Sequence, residues 1–229
     1  MRVSQIVSAV SWKHAVGEVL LIVVGISIAL SVDSWWQGQQ ERQEEDVLLS
    51  QVLATLRSDR AALATISTDV QNRASLLTEL QRHLERELPY ADSLTFNLRA
   101  LRRWQTSTVS TAAYEDLKGR GLDLVSNQEL RLMLIDYFDR QVPFLEDYDR
   151  FDQDLTMSYS SSVLQRHLMW SDGVYLPVDY SRMVEDTEFR YMVGHREEIM
   201  RQGTVRRYQA ILSASDDLIA ALEAALADR

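Results

Sequence analysis

Cysteine is absent from the 229 residues, so neither disulfides nor thiolate metal sites hold this chain together. Glycine occurs eight times and proline three times, too few for strand-and-turn architectures, which use both freely. Lysine is nearly missing as well, since 22 of the 24 basic side chains are arginine. Arginine favours bidentate pairing with carboxylates. Nor is there any basic excess. Formal net charge is −10, and a surface of that sign repels phosphates, so nucleic acid is not an expected partner.

Fingerprints of chemistry are also lacking. No Gly-x-Ser-x-Gly elbow, nicotinamide fingerprint or phosphate-cradling loop occurs. Lys118-Gly119-Arg120-Gly121 has the glycines of a phosphate loop but no strand before it and no Lys-Ser/Thr after it. The histidines His14, His83, His167 and His195 stand apart from any second ligand at metal-site spacing. The acidic run Glu146, Asp147, Asp149, Asp152, Asp154 has no mid-loop glycine as calcium loops require. Its interleaved Tyr148, Phe151 and Leu155 predict a solvated helix face instead. Catalytic, cofactor and metal residues are therefore expected to be none, and the protein is not expected to be an enzyme.

What the chain does have is one long apolar run, Ala15 to Val32, 18 residues in which Glu18 is the only charge. That fits one bilayer crossing, which takes roughly 20 mostly apolar residues. Trp12 precedes the run, and Trp35 and Trp36 follow it, as interfacial anchors do. Arg2 and Lys13 lie ahead of it, while Arg42 is outnumbered behind it by Asp33, Glu41, Glu44, Glu45 and Asp46. The positive-inside rule then makes residues 1–14 a cytoplasmic tail, 15–36 a transmembrane anchor and 37–229 an exported, periplasmic domain on a bacterial inner membrane. A cleaved signal peptide is the rival reading, because Ala29-Leu30-Ser31 loosely resembles a cleavage site, although the run is long for a signal core.

Two features of the anchor stand out. Gly17, Leu21, Gly25 and Ala29 share one i, i+4 row, a face on which another helix can pack closely in lipid. Glu18 is an intramembrane charge one turn after His14, able to snorkel to the boundary or to meet a partner.

Past Gly38 no glycine or proline occurs until Pro89, and Leu49, Leu56, Leu63, Val70, Leu77 and Leu84 recur at a spacing of seven. One clean seam beside companions interrupted by Asp59, Arg60 and Arg73 predicts a long helix over about 39–88, packed on neighbours and bent near Gly38. Leu88-Pro89 ends it. Asp92 or Ser93 then opens a helix to about Gln105, and Ser110 or Thr111 opens another that Gly119 and Gly121 stop. Ser126-x-x-Glu129 has the form of a capping box. The helix behind it is kinked or split at Pro143 and resumes through Phe144, Leu145, Tyr148, Phe151 and Leu155 to about Trp170. Asp172-Gly173 and Pro177 make a loop with a short extended stretch at Val174–Leu176. Helix returns from Tyr180 or Asp186, with Gly194 and Gly203 as weak points. The expected fold class is all-α: one transmembrane helix, a long helix, and an antiparallel helical bundle over about 92–229.

Two patches carry a resemblance. The phrase from Gly17-Glu18-Val19 through Ala29-Leu30 with Asp33-Ser34-Trp35, and the stretches Tyr114–Gly119 and Leu122–Asn127, resemble a broad family of uncharacterised bacterial single-pass membrane proteins. Such proteins have a Gly-Glu-led anchor before a helical extramembrane domain, and usually an Asn-Asn-Trp-like ending where this chain reads Asp33-Ser34-Trp35-Trp36. The resemblance implies architecture and no particular activity. The expected function is a membrane-anchored scaffold or accessory subunit, its partners the bilayer and the membrane proteins of a larger complex. A bacterial photosynthetic reaction centre with its antenna is one concrete host. The alternative is a periplasmic ligand-sensing domain acting through a partner membrane protein, since a short tail has no room for an output domain.

Overall fold

A computed structural model describes residues 12–227, with side chains from residue 17 onward. The expected cytoplasmic tail, His14 and the Trp12 side chain lie outside that description. The fold is mostly helical, and α1 (Trp12–Glu85) alone takes 74 residues. Between Val47 and Leu48 the chain divides into two compact units.

In the first unit every residue from 17 to 37 is exposed, and this stretch is long and apolar enough to cross a membrane. Two of its hydroxyls turn inward on the helix, Ser27 Oγ donating to the Val23 carbonyl and Ser31 Oγ to that of Ser27, both at 2.8 Å. Both serine donors are thereby satisfied by the helix's own carbonyls. Gly38 interrupts nothing, because helical hydrogen bonding continues through it.

In the second unit α1 buries one stripe. Leu49, Leu56, Leu63, Val70, Leu77 and Leu84 are each at most 4% exposed, with Val52, Leu53, Ala74 and Leu80 also inside. Apolar positions recurring every three to four residues keep the same side of a helix inward. The helix closes in a Schellman turn, with the Leu88 amide on the His83 carbonyl and that of Glu87 on Leu84, both at 3.2 Å. Glu87 takes the left-handed position at φ 52° that glycine usually fills.

Short helices follow, α2 (Leu94–Leu101) and α3 (Ala112–Arg120), the latter stopped by Gly121 at φ 111°. Next comes α4 (Gln128–Ile135), capped by Asn127, whose side chain accepts from the Glu129 and Leu130 amides. The capping box expected from Ser126 therefore gives way to the residue after it. A π turn (Asp136–Gln141) leads into α5 (Val142–Tyr159), and a second (Ser160–Leu164) into α6 (Gln165–His167). Pro143 neither splits nor ends this run. It sits in the first turn of α5, just where the wide π turn has already shifted the hydrogen-bond register.

Helix then yields to a hairpin instead of reaching Trp170. Strand β1 (Leu168–Ser171) pairs antiparallel with β2 (Val174–Pro177), and Ser171 faces Val174. Asp172 and Gly173 both have positive φ, 50° and 85°, as a two-residue turn matched to strand twist demands. The all-α expectation is corrected to this extent. Two aspartate caps, Asp179 and Asp186, open α7 (Tyr180–Glu185) and α8 (Thr187–Glu198). A third π turn (Ile199–Thr204) joins α8 to α9 (Val205–Ala227).

Apolar side chains from α1 to α9 form one contiguous cluster in this unit. At the surface Arg60 grips Asp216 with two bonds of 2.8 and 3.0 Å, and Arg57 reaches Glu223 at 2.6 Å, tying α1 to α9.

Candidate functional site

The strongest concentration of polar groups lies inside that cluster. On α5 the buried positions are Val142, Leu145, Asp149, Asp152 and Thr156, spaced three, four, three and four apart, so two carboxylates occupy the apolar register. The expected solvated face is thus overturned for Asp149 and Asp152, while Phe144 and Phe151 are exposed. On α8 and the turn after it, Phe189, Val193, Arg196 and Met200 repeat the pattern with an arginine inside.

Asp152 is shared between two cations. Arg196 Nη1 donates to its Oδ1 at 2.5 Å, and Arg73 Nη2 of α1 to its Oδ2 at 3.4 Å. The three side chains are 0%, 5% and 1% exposed for Arg196, Arg73 and Asp152. Arg196 also donates to the Arg103 carbonyl at 3.3 Å and Arg73 to Met200 Sδ at 3.5 Å, yet the Nε of each guanidinium is buried without an acceptor. Burial draws the Arg73 guanidinium down to about 10, with Asp152 opposing that shift and Arg196 adding to it. It stays charged at neutral pH.

One turn earlier, Asp149 accepts from the Ser107 amide and hydroxyl, both at 2.7 Å, and from the Tyr208 hydroxyl at 2.9 Å. Burial pushes its carboxyl above the usual carboxylate range, against the pull of the Ser107 and Tyr208 bonds. Tyr208 is pushed up by burial and then by the charge of Asp149. The network joins α1, α5, α8, α9 and the connector at Ser107. Being closed to solvent, it can fix which turn of each helix meets which, and it offers no reacting atom to a substrate.

The histidines with described side chains each meet a partner within the fold. His83 Nε2 lies 3.1 Å from the Pro89 carbonyl, His167 Nε2 2.7 Å from Asp186 and His195 Nδ1 2.6 Å from the Tyr159 hydroxyl. Lys118 bonds Asp139 at 2.8 Å. Among the described residues no group of three or more His, Cys, Asp or Glu is placed to hold a metal ion.

No protein-family model, curated protein or solved structure matches the chain.

The singled-out anchor residues with described side chains are all uncovered. Gly17, Leu21, Gly25 and Ala29 are exposed, and a Cβ at Gly17 or Gly25 would meet nothing within 4 Å. Glu18 is exposed, as are Trp35 at 63% and Trp36 at 58%. The sequence reading missed the Arg73–Asp152–Arg196 triad and Asp149. Their signal was there, in charged residues standing where the helical period calls for apolar ones.

Proposed function

We propose that the chain is a single-pass membrane protein whose helical part serves as a scaffold for another membrane protein. One observation carries this reading: the apolar helix over residues 17–37 is exposed on every side. Water tolerates exposed apolar patches of only a few hundred Å² on a typical monomer, so a helix apolar all round belongs in lipid or against a partner. In lipid, the row Gly17, Leu21, Gly25, Ala29 is the face a second transmembrane helix would use, and Trp35 and Trp36 mark one interface. By the charge rule the N-terminus is cytoplasmic and the remainder, an antiparallel helical bundle, is periplasmic.

The interior supports a role by contact. A charge network sealed in the core stiffens a surface without supplying a nucleophile, acid or base to one. The test is gentle detergent extraction of native membranes followed by sizing under native conditions. The proposal expects the chain to travel in a particle larger than itself, with the row variant Gly25→Leu releasing it. Migration of the unaltered chain alone would refute it.

A further inference from the structure

A groove runs along the second unit between α9 and the α4–π turn–α5 run. Two hollows make it up, of about 340 and 80 Å³, which share Gln141 as a common wall. Its floor is apolar, with Met133, Leu145, Ile211 and Leu218. Leu132 and Phe144 stand along one side, 59% and 55% exposed. Apolar side chains left out on a ridge beside an apolar hollow mark a docking surface rather than a water-facing one.

The ends of the groove differ in charge. At one end Glu129 and Asp217 line it, and neither carboxylate has a cation paired with it among the described residues. At the other end Arg207 lies over the rings of Phe144 and Tyr148, 4.0 and 4.4 Å from their centroids, with its Nε buried and unbonded. No carboxylate pairs with it among the described residues. Ten residues of α9 separate Arg207 from Asp217, about 15 Å of helix. Between them the wall is low, formed by Ala210 and Ala214.

From this we infer that the groove receives α9 of a second copy of the chain, laid antiparallel about a two-fold axis near residue 212. That axis sets Arg207 of each copy against Asp217 of the other and Ala210 against Ala214. Arg207 and Asp217 are thereby matched in both directions, which is the self-complementarity an isologous contact requires. Alanines in the central layers let the helix axes approach closely. A foreign helix would need the same charge spacing in reverse, and α9 already has it.

The absence of cysteine makes the test clean. Full-length chain in detergent carries one introduced cysteine, either Ala214→Cys in the groove or Ser75→Cys on the exposed side of α1, and is treated with a short bis-maleimide. The inference expects a crosslinked dimer from Ala214→Cys and at least tenfold less from Ser75→Cys. Adding Asp217→Arg, or separately Arg207→Asp, removes the dimer, and the two together restore it. Melting temperatures of the charge variants confirm folding, and Asp217 is exposed, so its variant reads out even where Arg207→Asp is destabilised. Equal crosslinking at both cysteines, no dimer at all, or no recovery in the double variant would each overturn the inference. None of these outcomes depends on whether the anchor binds another membrane protein.

Discussion

The two ends of α1 make a direct comparison, because both belong to one continuous helix and what changes is how much of its circumference is apolar. Residues 17–37 carry apolar side chains on every side, with Glu18 and Asp33 the only charges, and none is covered; over 48–84 the same helix carries one apolar stripe, and that stripe is buried. Secondary structure alone therefore says nothing about environment. The arrangement of apolar side chains around the helix decides it, a full ring selecting lipid or a partner and a stripe selecting a core.

The sharpest way to break the second half of that comparison is to remove the carboxylate its arginine depends on. Asp152→Ala strands Arg73 and Arg196 without a counter-charge in the core and is expected to cost about 3–5 kcal/mol of unfolding free energy by denaturant titration. A like-for-like truncation sharpens the contrast itself. Leu56→Ala, at a position 0% exposed, should cost about 2–5 kcal/mol. Leu21→Ala, at one 77% exposed, should leave the same titration unmoved.

Smaller effects follow where α1 ends and where it meets the network. Glu87→Gly relieves a left-handed residue and should raise stability by about 1 kcal/mol, seen as a higher midpoint. Asp149 gives a pH signature. Its folded carboxyl holds a proton more tightly than the unfolded one, so its contribution to stability rises as pH falls from neutral through the folded pKa and levels off below 3.8. Asp139 has the opposite sign. Lys118, with Tyr114, holds it below the usual carboxylate range, so its contribution is present above 3.8 and is lost as pH falls through the folded value. Unfolding midpoints between pH 7 and 4 should show wild type gaining on Asp149→Asn, and losing ground to Asp139→Asn below that.

How much of this could be read in the sequence depends on whether the signal was local. The α1 stripe is written as a repeat of seven, and the run from Ala15 to Val32 as an interval without charge but for Glu18. Both survive without knowledge of a partner element. Asp149 and Asp152 could not be placed so, because a carboxylate in an apolar register becomes tolerable only once Arg196, Arg73, Ser107 and Tyr208 arrive from elsewhere in the chain. Only the first strand of the hairpin was hidden, and for a different reason. Asp172-Gly173 is a strong two-residue turn signal and the extended stretch after it is legible at Val174–Leu176, but Leu164 and Leu168 ahead of it continue a helical spacing that masks the strand Leu168–Ser171.

The most direct test of the account concerns residues 17–37. Membranes from cells making a Ser75→Cys form should be washed with alkaline carbonate, and intact spheroplasts treated with a thiol reagent that cannot cross the bilayer. The account predicts that the chain stays in the carbonate-washed membrane and that Ser75→Cys is labelled from outside. Release of the chain into the soluble fraction, or labelling only after the cells are opened, would contradict it.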